Sequence, residues 1–260
     1  MKLTNNTILI TGGTSGIGLA FAQKFLALGN TVIVTGRSQA KIDAAISENP
    51  GLYGIAADVS DAADVARLAQ KVLSDFPNLN VVMNSAGIMR TYDLFDDDLK
   101  ATDLLAEIDT NLNGTILVSQ TFLKHLTAQP ESLLVNVSSG LANVSSAPNP
   151  IYSATKAGVH MFTDAVREQV IYQGYTNLQV TELVPPLVSE TNLEENVHVE
   201  GPNNMTLTDL VAEGITGIEN GSTRIDAGFA KVIRKNALEN PEHFTHQMAE
   251  NMLPNKFARK

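Results

Sequence analysis

Six short, β-branched runs alternate with longer segments of helical periodicity, and no hairpin turn separates one run from the next. Such alternation constrains a chain to parallel strands joined by crossover helices. The strands are expected over Thr7–Thr11, Thr31–Gly36, Leu52–Asp58, Val81–Gly87, Ser132–Ser139 and Leu178–Pro185. The helices between them are expected over Gly18–Leu28, about Ala40–Ser47, Asp61–Phe76, Leu99–Leu126 and Ile151–Tyr172. The strand segments are apolar throughout instead of alternating, as when helices cover both faces of a sheet. With right-handed crossovers this is an α/β fold: a doubly wound, mostly parallel sheet of at least six strands with helices on both faces, in a single domain over 1–260.

After Pro186 the pattern loosens. Residues 189–222 are expected to form a mobile segment over the substrate, polar from Ser189 to Asn204, and residues 223–260 a mostly helical tail. Helical patterns run over Leu207–Ile218, Ala227–Leu238 and Pro241–Met252.

Composition excludes several function classes. The chain has no cysteine, so thiol nucleophiles, disulfides and cysteine zinc sites are out. Its net charge of −10 opposes nucleic acid and anionic membrane surfaces as partners. No apolar run approaches the roughly 18 residues of a membrane helix. The first residues, MKLTNNTILITGG, lack the apolar stretch and cleavage site of a signal peptide, so a cytoplasmic location is expected.

Four glycines fall within Thr11–Gly18, between the first strand and the first helix. Glycine weakens regular structure, so such a cluster needs a local reason. In a doubly wound sheet this loop is where a dinucleotide pyrophosphate docks on the N–H groups of a helix N-terminus. The spacing Gly12-x3-Gly16-x-Gly18 differs from the commonest G-x-G-x-x-G fingerprint. The second strand ends in Thr35-Gly36-Arg37-Ser38, with no acid nearby. An acid there would bond a ribose 2′-hydroxyl, whereas an arginine suits a 2′-phosphate, so NADP is favoured over NAD. Ser38 adds a hydrogen bond to that phosphate. Asp58 either receives the adenine amino group or caps the helix that follows.

Tyr152 and Lys156 lie four apart near a helix start, on one face. A free tyrosine titrates near 10, and a neighbouring ammonium draws it down into a useful range for proton transfer. Ser139 lies thirteen residues before Tyr152, at the carboxyl end of the fifth strand, where its hydroxyl can hold a carbonyl oxygen. Ser138 reads as a structural loop hydroxyl. Asn111 falls inside the long helix, where its amide competes for backbone groups, so a local break, a bound water or a solvent-facing position are the readings.

TGGTSGIG, Asp58-Val59, Asn84-Ser85-Ala86-Gly87, Asn111, Ser139 and Tyr152-x3-Lys156 occur in that order, and together the sequence resembles the single-domain short-chain dehydrogenases/reductases over residues 5 to about 188. On Val184-Pro185-Pro186 and the tail, it resembles more narrowly their DltE-like oxidoreductase branch. The resemblance implies a Rossmann-type sheet of six to seven strands, seven in the family's usual form, and hydride transfer between a nicotinamide and a small carbonyl/alcohol pair. It implies Tyr152 as the acid/base, Lys156 as its tuner and ribose anchor, Ser139 as the carbonyl orienter, and Asn111 as holder of a proton-relaying water. Coenzyme contacts are implied for Gly12, Thr14, Ser15, Gly16, Ile17, Gly18, Arg37, Ser38, Asp58, Val59, Asn84, Ser85, Ala86, Gly87, Tyr152, Lys156, Pro185, Val188 and Thr191. The sequence departs from the family at Ser85, at Pro186, and in lacking an Asp-Gly-Gly motif near its end, for which Thr223–Gly228 is a shorter substitute. A homodimer through Leu99–Leu126 and Ile151–Tyr172 is expected, with a tetramer as the alternative. The rival reading is a non-enzymatic, NAD(P)-sensing binding protein on the same scaffold.

No metal site is expected. The five histidines are scattered, and His243 and His246 share a helical face without carboxylates to complete a zinc site. Asp96-Asp97-Asp98 reads as an acidic loop before a helix. Phe244, Met248, Met252 and Phe257 read as packing of the tail. The substrate is expected to meet Ile88–Leu99 and Ser189–Met205.

Overall fold

The computed structural model describes residues 1–191, 193 and 204–253. Seven parallel strands form one sheet in the order β3-β2-β1-β4-β5-β6-β7. They are β1 (Thr7–Thr11), β2 (Thr31–Gly36), β3 (Tyr53–Ala56), β4 (Leu79–Asn84), β5 (Ser132–Val137), β6 (Leu178–Val184) and β7 (Arg224–Asp226). The order reverses between β1 and β4, where crossovers leave to opposite faces and a crevice opens at the strands' carboxyl ends. The central strands are buried from end to end, β5 without exception, which is why they read as apolar runs.

Helices α1 (Gly16–Ala27), α2 (Gln39–Glu48) and α3 (Ala62–Asp75) follow the first three strands. Next come α4 (Ala101–Ile108), a π-helical turn (Asp109–Asn113) and α5 (Gly114–Thr127), then α6 (Pro150–Tyr172), α7 (Leu207–Glu219), α8 (Ala230–Glu239) and α9 (Pro241–Met252). Two cores result, one on each face. Phe21 and Phe25 of α1 and Leu210, Ile215 and Ile218 of α7 pack against Ile8, Ile10, Val135 and Leu183. On the other face Leu68 and Val72 of α3, Phe122 and Leu126 of α5 and Val166 of α6 cover Leu9, Val82 and Leu134. Each such side chain contributes about 1.5–3 kcal/mol by leaving water.

Three expectations change and one, the seventh strand, is met. The single helix expected over Leu99–Leu126 starts at Ala101 and is broken by the π-helical turn, which inserts an extra residue and re-aims Asn111 inward. The first helix begins at Gly16, not Gly18, so it reaches into the glycine loop. A seventh strand does form, from the Thr223–Gly228 stretch, pairing in parallel through Glu182↔Arg224 to Val184↔Asp226. The segment 189–222 is not wholly a lid. Its second half is α7, whose Leu210 is fully buried and whose Gly214 lies so close to Phe21 that a Cβ would come within 2.5 Å of the ring. The polar stretch Ser189–Asn204 lies mostly outside the described residues, as does Phe257. Phe244 and Met248 pack with Val144 and Ile233 in a small satellite core. Among the described residues, no helix is long and apolar enough to cross a membrane.

Candidate active site

A cavity of about 310 Å³ runs across the carboxyl ends of the strands at the point where their order reverses. The glycine loop forms one wall. Gly12 has φ +65°, and a Cβ there would lie 2.7 Å from the Ala86 Cα. The two loops therefore touch, and Thr11 Oγ1 accepts hydrogen bonds from Ser85 N and Ala86 N to hold them together. Gly18 packs against the carbonyl of Gly12, 2.5 Å from where a Cβ would be. Ser15 precedes α1 in extended conformation and supplies no side-chain cap, so the first-turn N–H groups face the cavity without a protein acceptor from that residue. Open N–H groups, a helix N-terminus and a loop stripped of side chains together fit the pyrophosphate of a dinucleotide.

The cavity's far end is basic. Arg37, Ser38 and Lys41 line it, with Thr14 across from Gly36. The Ser38 hydroxyl also accepts from Lys41 N at 3.4 Å, starting α2 and leaving its own proton for another acceptor. Asp58 and Val59 form the adjoining wall. Asp58 does not cap the following helix: its Oδ1 accepts from Ser60 N (2.9 Å) and Ser60 Oγ (2.6 Å), while Asp61 caps α3 through Ala63 N and Asp64 N.

At the other end lie Tyr152 and Lys156, both on α6 and both in the wall. Pro150 at the first turn suits a helix start, and the spacing of four stacks the two side chains. Lys156 Nζ sits 5.5 Å from the centre of the Tyr152 ring and donates to Val137 O at 2.9 Å. Burial pushes the Tyr152 phenol well above its usual value; a hydrogen bond from Ser139 works against that shift, and the charge of Glu107 adds to it. Burial also pulls Lys156 down, to about 8, with Glu107 opposing. The downward pull on Tyr152 expected from Lys156 does not emerge: the group that lowers the phenol is Ser139, and desolvation outweighs it. The Ser139 hydroxyl meets that of Tyr152 and accepts from Leu141 N at 3.2 Å. The Ser138 hydroxyl is structural, bonded to Glu182.

The sequence model for short chain dehydrogenases matches residues 6–200. The chain belongs to that family. This short-chain dehydrogenase is 41% identical over 199 residues to "Uncharacterized oxidoreductase DltE" of Bacillus subtilis, covering 75% of this chain and 76% of that protein. It is 31% identical over 206 residues to a 3-oxoacyl-[acyl-carrier-protein] reductase of Thermotoga maritima, covering 74% and 83%. Two solved short-chain dehydrogenases share the fold. One is from Burkholderia cenocepacia in complex with NADP (TM-score 0.82, 20% identity, 95% of this chain and 99% of that one). The other is from Burkholderia phymatum in complex with NAD (TM-score 0.81, 21% identity, 95% and 96%). The shared fold therefore accommodates either coenzyme, and the protein is an NAD(P)-dependent dehydrogenase/reductase by family.

Of the coenzyme residues expected from the sequence of this dehydrogenase, all but two line the cavity. The exceptions are Asn84 and Val188. Asn84 is buried and donates to Ser119 Oγ and Asn136 Oδ1, both at 2.9 Å, tying β4 to α5 and β5. Val188 forms a bridge with Met205 and turns into the core beside α7. Its neighbour Thr191 does reach the cavity, with its side chain against Gly16. Asn111 is fully buried and serves as a clamp. Its amide donates to Ile88 O (2.8 Å) and Thr155 Oγ1 (3.1 Å), and its Oδ1 accepts from Ile88 N (2.8 Å). Both amide hydrogens are thereby spent, so a relayed water would be left with the remaining Oδ1 lone pair.

Lys41 and Thr110 also line the cavity, beyond the residues expected there, and Ile88 and Leu193 do so from the two stretches expected to meet the substrate. Lys41 had a readable signal, being a second cation four residues beyond Arg37. One cluster with metal-ligand chemistry is assembled only by the fold: ligand atoms of His160, Asp164 and Glu182 converge within 4.8 Å. There the guanidinium of Arg224 lies 2.9 Å from Glu182 Oε2 and takes the place of a cation.

Proposed function

We propose that the protein is an NADP-dependent carbonyl reductase, equally able to run as an alcohol dehydrogenase, acting on a small molecule. The observation that carries this reading is one continuous cavity lined by Arg37 and Lys41 at one end and by Tyr152 and Lys156 at the other, with the Ser139 hydroxyl, outside the lining itself, against that of Tyr152. When bound, the nicotinamide supplies a hydride to the carbonyl carbon. Tyr152 donates a proton to the carbonyl oxygen, which the Ser139 hydroxyl orients. Lys156 keeps positive charge beside the phenolate that remains and is placed to anchor a ribose hydroxyl. Asn111, by clamping Ile88, fixes the loop opposite Tyr152. Positioning and a paired proton donor carry the catalysis. The two basic side chains favour the 2′-phosphate of NADP over NAD.

A homodimer through α4–α5 and α6 is the assembly this reading favours, because Leu105 and Met161 on those helices are exposed apolar side chains.

The test is a panel of aldehydes and ketones incubated with NADPH deuterated at its transferable position. Deuterium on the product carbinol carbon is the expected result. No carbonyl consumed and no coenzyme bound would overturn the reading.

A further inference from the structure

Glu107 is a carboxylate in an unfavourable place. It lies in the last turn of α4, it is fully buried, and its Oε2 has no hydrogen-bond partner among the described residues. Its Oε1 accepts the Arg90 N–H at 3.2 Å, and the neighbouring Tyr92 hydroxyl, which bears on the carboxyl, donates to Asp103 O at 2.9 Å. A buried acceptor left unpaired costs free energy, more so when charged. An apolar side chain would fill the same position at no such cost.

Its neighbours show what the charge acts on. Glu107 stands one turn before Asn111. The two side chains grip the loop after β4 at alternate residues, Glu107 at Arg90 and Asn111 at Ile88. Next along that loop, a Cβ on Gly87 would lie 3.4 Å from Asn111 Oδ1 and 3.6 Å from Lys156 Nζ. The glycine thus leaves the Lys156 amine and the Asn111 amide facing each other without a screening side chain. One turn back on the same chain, the charge of Glu107 acts on both members of the proton-donating pair, favouring the Lys156 ammonium and the neutral Tyr152 phenol. The charged and titratable groups facing Glu107 are Arg90 and Tyr92 from the loop, and Tyr152 and Lys156 from α6. Asp103, one turn earlier on α4, is engaged with Arg90.

We propose that Glu107 is a positioning residue for catalysis: its buried carboxylate holds Lys156 in the ammonium form that the proton donor Tyr152 requires. This rests on the carbonyl-reductase reading above. Arg90 is half exposed and already faces Asp103, so it neutralises Glu107 only in part. Burial raises Glu107 to about 7, so the carboxylate is present in the range where burial would otherwise strip Lys156 of its proton, near 8. The arrangement answers a problem the fold creates, since the same desolvation that favours a neutral phenol also favours a neutral amine.

The test uses two substitutions and two readouts. Glu107→Gln keeps the acceptor for Arg90 N and removes the charge; Glu107→Asp keeps the charge and shortens the reach. In coenzyme-free protein labelled at lysine Cε, NMR titration assigned with Lys156→Arg should show the Lys156 midpoint lowered by about half a unit or more in the Gln variant. The Asp variant should lie nearer the wild type. The alkaline limb of the NADPH-dependent reduction profile should move to lower pH by the same amount, with wild type and Gln variant converging below about pH 6, where Glu107 is neutral. If the Gln variant does not fold, the reciprocal measurement serves: Lys156→Met should raise the pH at which the protonated-carboxyl infrared band of Glu107 disappears. An unmoved Lys156 midpoint in Glu107→Gln, or an unmoved carboxyl band in Lys156→Met, overturns the proposal. So does an Asp variant more perturbed than the Gln variant, which would mark a purely shape-filling role. The NMR and infrared readouts need no coenzyme, so their failure is distinguishable from a wild type that reduces no carbonyl.

Discussion

The two ends of α1 allow coenzyme binding to be separated from folding by one methyl group at each end. In Gly18→Ala the new Cβ would sit 2.5 Å from Gly12 O and 3.0 Å from both the Gly12 carbonyl carbon and Gly13 Cα. That first contact falls 0.9 Å short of an ordinary 3.4 Å contact, and all three atoms are backbone, which has no rotamer to escape into. The loop must shift, at an overpacking cost of about 1–3 kcal/mol. Shifting the N–H groups that would cradle a pyrophosphate should weaken NADPH binding by about 10–100-fold, equivalent to about 1.4–2.8 kcal/mol. Gly29, just past the other end, has φ +80° and nothing within 4 Å of its absent Cβ. Gly29→Ala should cost about 1 kcal/mol of left-handed strain, offset in part by reduced freedom in the unfolded chain. It should leave NADPH affinity unchanged. Urea unfolding and fluorescence titration with NADPH measure the two quantities on the same samples. A folded Gly18→Ala protein binding NADPH within twofold of wild type would refute the cradle.

Removing either cation at the adenosine end, by Arg37→Ala or Lys41→Ala, should lower NADPH affinity by about 10-fold or more while NADH affinity changes little; equal losses for both coenzymes would contradict the 2′-phosphate assignment. Arg224→Met strands the buried Glu182 beside His160 and should destabilise the fold by about 3–5 kcal/mol in chemical denaturation, a loss below 1 kcal/mol being inconsistent with a buried ion pair. Glu107→Gln should change stability in a pH-dependent way. Below about 4.5 the carboxyl is protonated in both folded and unfolded wild type; as pH rises through about 7 the unfolded chain ionises first and the folded protein loses that advantage. The variant should therefore gain on wild type between those limits, by up to about 3 kcal/mol, and hold the gain above them. A difference independent of pH would contradict a raised carboxyl.

Much of this molecule was legible from its sequence because burial on both faces makes strands into plain apolar runs. Ile8, Val32 and Val135 needed no partner to be read. What stayed hidden depends on contacts made from outside the segment. The π-helical turn at Asp109–Asn113 exists because Asn111 is pulled inward by Ile88 and Thr155, neither near it in sequence. β7 has three residues and owes its extended form to pairing with β6. Asn84 and Val188 occupy expected positions, but the direction of their side chains is set by Asn136 and Met205. Glu107 looks in sequence like any helical glutamate. Only the loop folded across it, carrying Arg90 and Tyr92, makes it a buried charge.

The central claim is that Tyr152 gives the proton while the rest of the cavity holds the coenzyme. Stopped-flow single turnovers with prebound NADPH, comparing wild type with Tyr152→Phe on a carbonyl that the wild type reduces, test it most directly. The account predicts unchanged NADPH affinity and hydride transfer slowed by about 10²-fold or more. Transfer within threefold of wild type would contradict it.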